Sequence, residues 1–446
     1  MATISIGFGR EDITPEESVP LAGAGNTSQR MSQGVLHRIY STCIAFSDEC
    51  GETILLFSND LLITKEEIVR ETRALIHGKY GIPEHNILIS ATHSHSAPDQ
   101  DNLAEPSIVR YDKKLPEWML AAADEALADR RPAEAFAGRK EVRGLNFVRH
   151  YFTACGLPKG DNFGTDIDSP CVRHHHDADS EMRMIRFTRE GARDIVLVNW
   201  QVHPHWSSSI KKGTHFMVSS DLVDVMRGRL EEKLGVNFCY FTGAAGNLNP
   251  FSRMPEEHIA HDYAEQGELL SAHAEALFGM LSPIRVDRIS AETEILEKET
   301  NHSEDSKVAD AEKVMEEWLR TNDLQQGFKT ARKYGLNSPY HAGCILRNSR
   351  APRSRTVETH TVSLGEFAFI TAPYEMFDVN GVYIREHSPF AMTFVVCLAN
   401  HSLSYVAAEY AYEINSYEAN SCRFKKGTAE ELADAYVAKL NDLYRK

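Results

Sequence analysis

Between Thr53 and Thr92 the chain runs through a strand-like segment, an amphipathic helix and a second strand-like segment, and this succession limits what the chain can fold into. "TILLFSND" (53–60) and "HNILISAT" (85–92) read as buried strands, and "KEEIVRETRALIHGKYG" (65–81) as a helix stopped by Gly81. That order is the signature of α/β organisation. Upstream, "TISIGFG" reads as another strand. A helix is predicted at about 115–129, followed by an irregular stretch from Gly144 to Met182, too long for a plain connector. Order returns with "DIVLVNWQVH" (194–203), a helix over 221–235 and the strand "NFCYFTG" (237–243), which leads into the small-residue turn "AAGNLNP". Residues 306–334 read as a charged helical pair with a solvated face. Two strand regions at 356–373 and 391–400 and a helix near 428–444 complete the chain. No repeat or linker is visible, so residues 1–446 are expected to form a single domain.

Charge narrows the partners. With 64 acidic against 48 basic residues, the formal charge of −16 opposes binding to a phosphate backbone or an anionic bilayer. Neither nucleic acid nor a membrane is expected as a partner; a small molecule is, and the oligomeric state is not readable. The opening "MATISIGFGREDITPEE" lacks the apolar core of a secretory signal, and the eight cysteines show no CxxC. A cytoplasmic protein with reduced thiols is the expectation.

Three strand ends then carry polar groups: His93 and His95 after "ILISAT", His203 and His205 after "VLVNWQV", and Glu375 after "FAFITAPY". In α/β proteins, groups at strand ends line the crevice that binds ligands. Two imidazoles and a carboxylate are a recurring ligand set for catalytic zinc, which keeps one position open for water or substrate. The tail adds Tyr405, Tyr410, Tyr412 and Tyr417 within "LANHSLSYVAAEYAYEINSYEANS".

Taken in order, these motifs resemble the catalytic domain of the neutral/alkaline non-lysosomal ceramidase family. "GFGREDITP" is similar to the family's opening, "ATHSHSAPD" to its Thr-His-Thr-His-Ser-Gly-Pro motif, and "NWQVHPHWS" to the segment with its second zinc histidine. "GAAGNLNP" resembles its Gly-Asp-x-Ser-Pro turn, "APYEMF" its zinc glutamate segment, and "NHSLSYV…SYE" its closing signature. The resemblance implies an α/β fold of mixed β-sheets flanked by helices. It also implies one zinc per chain on His93, His203, Glu375 and Tyr405, with His95 beside the reacting carbonyl and Tyr417 stabilising the intermediate. Arg149, in "NFVRHY", is similar to a substrate-binding arginine. Zinc in such a set brings bound water towards a pKa of roughly 7. Donors such as Tyr417 and His95 answer the charge that develops on the carbonyl oxygen, and a histidine can protonate the leaving nitrogen.

Departures from the family cluster around the substrate. Asn247 and Asn249 stand where the ceramidases carry Asp and Ser, and Pro204, His205 and Trp206 stand where small polar residues follow the metal histidine. The family's immunoglobulin-like C-terminal domain and its leader are expected to be absent. The implied activity is hydrolysis of the amide bond of a small soluble N-acyl compound. Alternatives are an ester or lactone hydrolase on the same site, a true ceramidase, and a non-catalytic binding protein. "VRHHHDAD" (172–179) reads better as a polar wall, with Arg173 and His175 on substrate, than as a second metal site. Asp60 and Asp221 read as helix caps or as partners of metal histidines. "ILRNSRAPRSR", with Arg347, Arg350, Arg353 and Arg355, is a solvated loop or an anion-binding lid.

Overall fold

The structure, a computed structural model, describes residues 4–23, 27–161, 168–210 and 213–446. Its largest element is a nine-stranded mixed sheet. The path across it runs Asn237–Thr242, Ile195–Trp200, Glu181–Arg189, Arg131–Glu141, Ser5–Asp12, Tyr40–Ser47, Thr53–Asn59, Ile87–Ala91, with Ser282–Ile284 paired to the fourth of these. The outermost pair at each end is parallel and the pairs between them are antiparallel. A second sheet, in the order Ile289–Glu299, Ser354–Leu364, Phe367–Ala372, Met392–Cys397, packs on one face of the first.

The uninterrupted apolar runs follow from this layering. Along Thr53–Asn59, Ile54 and Leu56 enter the cluster between the sheets, while Leu55 and Phe57 enter the cluster beneath the helices Glu66–Tyr80 and Pro106–Ala128. A strand covered on both faces has no use for polar alternation. Gly81 takes φ 70° and its N–H caps His77 O, ending the first helix where the sequence places its stop.

Two expectations need correction. The helix read at about 115–129 spans Pro106–Ala128 and carries Pro116 within it. Ile108, Tyr111, Leu115, Met119, Ala122 and Ala126 are all buried along one stripe, and that burial outweighs the proline's cost of about 3 kcal/mol. The stretch read as irregular is organised. Phe147–Val148 pairs with Leu248–Asn249, and His150–Thr153, Pro158–Gly160 and Cys171–His174 form a small sheet. Strands of two to four residues are shorter than any periodicity can register; residues 162–167 of that stretch lie outside the described residues. The helical pair at 306–334 is present as Val308–Thr321 and Leu324–Lys333, joined by a third helix, Pro339–Ser349, around a core of its own.

Five strands, Ile87–Ala91, Ile195–Trp200, Asn237–Thr242, Phe367–Ala372 and Met392–Cys397, bring their C-terminal ends together. Thr242 Oγ1 donates to Thr92 O (2.8 Å), Asn199 Nδ2 to Val395 O (2.9 Å), and Asn400 N to Ile89 O (2.7 Å). These cross-ties lock the strand ends that carry the histidines. Among the described residues no helix is long and apolar enough to cross a membrane, and all eight cysteines are unpaired.

Candidate metal centre

His93 sits one residue past Thr92 with φ 70°, a left-handed conformation that costs a side-chain-bearing residue about 1–3 kcal/mol unless its surroundings enforce it. They do: His93 N donates to Leu61 O (2.9 Å), and its ring Nδ1 lies 2.9 Å from Leu62 O. The other two rings are held the same way. His203 Nδ1 is 2.9 Å from Leu248 O, and His95 Nδ1 is 2.8 Å from Gly23 O. A carbonyl oxygen only accepts, so each Nδ1 carries the proton and each neutral ring keeps a lone pair on Nε2.

Those lone pairs converge. One ring nitrogen from each of His93, His95 and His203 lies within 4.8 Å of the others. His93 Nε2 and His95 Nε2 are buried with no hydrogen-bond partner. Glu375 enters from a two-residue parallel pairing in which it lies opposite Tyr405. Its Oε2 is 3.1 Å from His203 Nε2 and 3.3 Å from His93 Nε2. Carboxylate and imidazole lone pairs at that range repel unless a cation stands between them. A proton does not answer near neutrality, because burial pushes His203 down to about 4. Burial acts against the Glu375 anion, and its carboxyl stays well below the usual range only where positive charge on the His93 and His203 side answers it; with both rings neutral, that charge falls to a bound cation. Two imidazole nitrogens and an anionic oxygen aimed at one point fit a divalent metal of zinc's preferences.

Distance alone would make His95 a third imidazole ligand, whereas the carboxylate contacts pick out His93 and His203. The carboxylate is the better guide, because it supplies the charge that a buried cation needs. Tyr405 has its phenol pushed up by burial and then by Glu375, with Arg149 opposing. The Arg149 guanidinium lies 5.3 Å from the centroid of its ring, and Tyr417 packs edge-on at 5.8 Å.

Behind Tyr405 is a buried network that sequence reasoning missed. Arg149 Nε donates to Glu418 Oε1 (2.6 Å) and Arg149 Nη2 to Gly246 O (2.7 Å), while His150 Nε2 lies 2.7 Å from Glu418 Oε2. Arg149 is therefore engaged beneath the site and does not line the cavity above it. Glu418 stands beside Tyr417 in the quoted "SYE", but nothing local ties it to a residue 269 positions earlier. Gly23 was missed as well: a β-carbon there would lie 2.4 Å from the His95 ring.

The cavity that opens onto the histidines measures about 890 Å³ and is lined by His93, His95, Glu375, Tyr405 and Tyr417, with Tyr340, Arg347 and Arg423 nearby. Its walls are rich in charge. Arg173 and His175 are not brought to it: the Arg173 guanidinium covers the Phe152 ring at 3.9 Å and His175 stacks on Tyr410 at 4.3 Å. His205 and Asn249 bond each other (3.2 Å) beside His95, whose ring centroid is 5.4 Å from that of His205, but neither lines the cavity. Asp221 caps the helix Leu222–Leu234, and Asp60 forms a buried pair with Arg227 instead of a cap.

Residues 4–286 match the family described as neutral/alkaline non-lysosomal ceramidase, N-terminal. The neutral ceramidase from Pseudomonas aeruginosa superposes with a TM-score of 0.72 at 17% identity, covering 98% of this chain and 74% of that one. A ceramidase complexed with C2 gives 0.71 at 16% identity, with 100% and 76% covered. At such identities the structural likeness is one of fold.

Proposed function

The chain belongs to the neutral/alkaline non-lysosomal ceramidase family, and from that premise we propose that it is a zinc-dependent hydrolase cleaving the amide bond of a small, soluble N-acyl compound. The observation that carries this reading is the set of three imidazoles whose Nδ1 protons are committed to backbone carbonyls and whose remaining nitrogens gather within 4.8 Å of one another, two of them against Glu375. His93, His203, Glu375 and Tyr405 hold the metal, which supplies Lewis acidity and a water activated near neutral pH.

The chain's own groups do the rest. Tyr417, with its ring in the cavity wall, donates its hydroxyl hydrogen bond to the oxygen on which charge develops. His95, kept neutral by burial, presents a free Nε2 lone pair that takes a proton at the reacting centre and returns it to the leaving nitrogen. Arg149 acts as a positioning residue: held by Glu418, it fixes the Tyr405 ring and keeps positive charge beneath it.

A polar substrate, in place of a ceramide, is supported by the lining. Lys65, Glu67, Asp101, Asp112, Arg347 and Arg423 all face the cavity, and an acyl chain of lipid length would desolvate such groups while offering them no hydrogen bond. The test is metal content by plasma mass spectrometry, with turnover of N-acyl compounds, matched lactones and detergent-dispersed ceramide. About one zinc per chain, lost in Glu375→Ala, with turnover of short N-acyl amides, is the expected result. Protein that takes up no metal on titration sinks the mechanism; lactone turnover without amide turnover moves the reading to the ester class.

A further inference from the structure

Of the arginines concentrated between 347 and 355, only Arg347 faces the cavity, where it is joined by Arg423 from a separate segment. Hydrogen bonds clamp the two segments together. Arg347 Nη2 donates to Ser421 O (2.7 Å), and Asn348 Nδ2 donates to Cys422 O (3.0 Å). The guanidinium of Arg423 is thus delivered beside a helix that already carries Arg347 and Tyr340. Arg353 turns away, with its side chain 80% exposed and 3.8 Å from Asp305.

What sets Arg347 and Arg423 apart is the lack of a counter-ion. Among the described residues no carboxylate pairs with either, and Arg423 Nε is buried without a hydrogen-bond partner. Burial, followed by the charges of Arg347 and Arg355, lowers the Arg423 pKa, with Tyr340 and the Asp101 carboxylate opposing more weakly. The carboxylates of the same cavity belong to other segments: Glu66, Glu67 and Glu71 line it from the helix Glu66–Tyr80, Glu66 with His401 at 4.0 Å, and Glu375 stands at the metal centre. Asp101 and Asp112 have Lys65 at 3.9 Å and 4.0 Å, and Asp112 also accepts from Gln100. In a chain of net charge −16, two half-buried guanidinium groups without a carboxylate partner, side by side in a reactive cavity, are placed to receive an anion.

We infer that Arg347 and Arg423 form an anion subsite in the cavity of the metal centre, and that the substrate is an N-acyl compound bearing an oxyanion, a carboxylate or a phosphoryl group. The planar fork of a guanidinium matches either group through paired N–H bonds. Tyr340 and Tyr417, stacked at 5.1 Å, stand in the same cavity wall, so the metal centre and the subsite open onto one space. The inference rests on the amide-hydrolase reading for the reaction, though not for the binding.

The experiment uses zinc-loaded full-length protein and three probes: N-hexanoylglycine, N-hexanoyl-aminomethylphosphonate and the neutral N-hexanoylglycinamide. Calorimetric dissociation constants and kcat/KM are measured for wild type, Arg347→Gln, Arg423→Gln and Arg423→Lys, with metal content and melting temperature recorded for each. One of the two anions is expected to bind at least about tenfold tighter than the amide, each Gln variant to lose about tenfold of that preference, and Arg423→Lys to keep part of it, all at unchanged metal content. Equal binding of all three probes, failure of both anions to bind, or a preference that survives both Gln variants overturns the subsite. Cleavage of all three at equal rates removes the subsite and leaves the amide-hydrolase reading standing. Tight arginine-dependent binding without cleavage keeps the subsite and removes that reading.

Discussion

His95 shares the tautomer of His93 and His203 but not their carboxylate. Glu375 Oε2 lies within 3.3 Å of the latter two, and no such contact reaches His95. The substitutions should therefore separate. His93→Ala, His203→Ala and Glu375→Ala are expected to lose both bound metal and turnover, whereas His95→Ala keeps its metal and loses about 10²–10⁴-fold in kcat. Metal analysis beside steady-state kinetics decides, and a His95→Ala protein without metal would make His95 a ligand. Tyr417→Phe removes one donor and should lower kcat by about 10²-fold with little change in metal content. Gly23 supports His95 from the other side. Its φ of 86° and the 2.4 Å approach to the His95 ring leave no room for a methyl group, so Gly23→Ala should depress kcat without releasing metal. At this scale the residues that the fold gathers are readable in the sequence wherever they sit inside a short motif at a strand end, as His93, His203 and Glu375 do. Gly23 and Arg423 carry no such local sign, because what distinguishes them is the atom they meet across the fold.

Elements place these residues through contacts that local pattern does not encode. The five-residue helix Tyr417–Ser421 presents Tyr417 to the cavity, while its next residue, Glu418, reaches Arg149 and His150 on the opposite side. Burial opposes the Glu418 charge, but Arg149 and His150 hold its carboxyl below the ordinary glutamate range. The folded-state pKa is then lower than the unfolded one of about 4.3, and the unfolded chain binds more protons between the two. The stability this gives is fully present above the unfolded value and is lost as pH falls through the acid range. Glu418→Gln leaves Arg149 buried and uncompensated, which costs about 3–5 kcal/mol, and it should flatten the acid limb of a plot of melting temperature against pH. An acid limb identical to that of wild type would deny the pair this role. The strands and helices with long uninterrupted or amphipathic patterns, such as Ile87–Ala91 and Glu66–Tyr80, were legible. Arg131–Glu141 and Ile289–Glu299 were not assigned, since their alternation of charged residues with small or aliphatic ones gives a weaker signal than a strand covered on both faces.

At the scale of the whole molecule, one cluster of buried side chains runs from Ile13 to Leu443 and draws on both sheets, whereas the helices Val308–Thr321, Leu324–Lys333 and Pro339–Ser349 close around a small cluster of their own. We propose that the chain unfolds as one catalytic domain with this helical unit as its least stable part. Among the described residues its buried core is Ala311, Val314, Ala331, Leu336, Ala342 and Ile345, with Val308, Met315, Tyr334 and Leu346 packed against it, so opening it exposes less apolar surface than breaking either sheet. The unit nonetheless supplies Tyr340 and Arg347 to the cavity, which links its opening to occupancy of the site. Hydrogen exchange read by mass spectrometry should therefore show residues 308–349 exchanging ahead of the strands Phe367–Ala372 and Ile195–Trp200. Saturation with an anionic N-acyl ligand at 100 times its dissociation constant should slow that exchange by up to about 100-fold, the factor by which mass action disfavours an opening that destroys the site. A unit that exchanges no faster than the sheets would place it within the main cooperative core. If the unit is fast but ligand leaves it unchanged, its opening is uncoupled from the site and Arg347 does not hold the ligand.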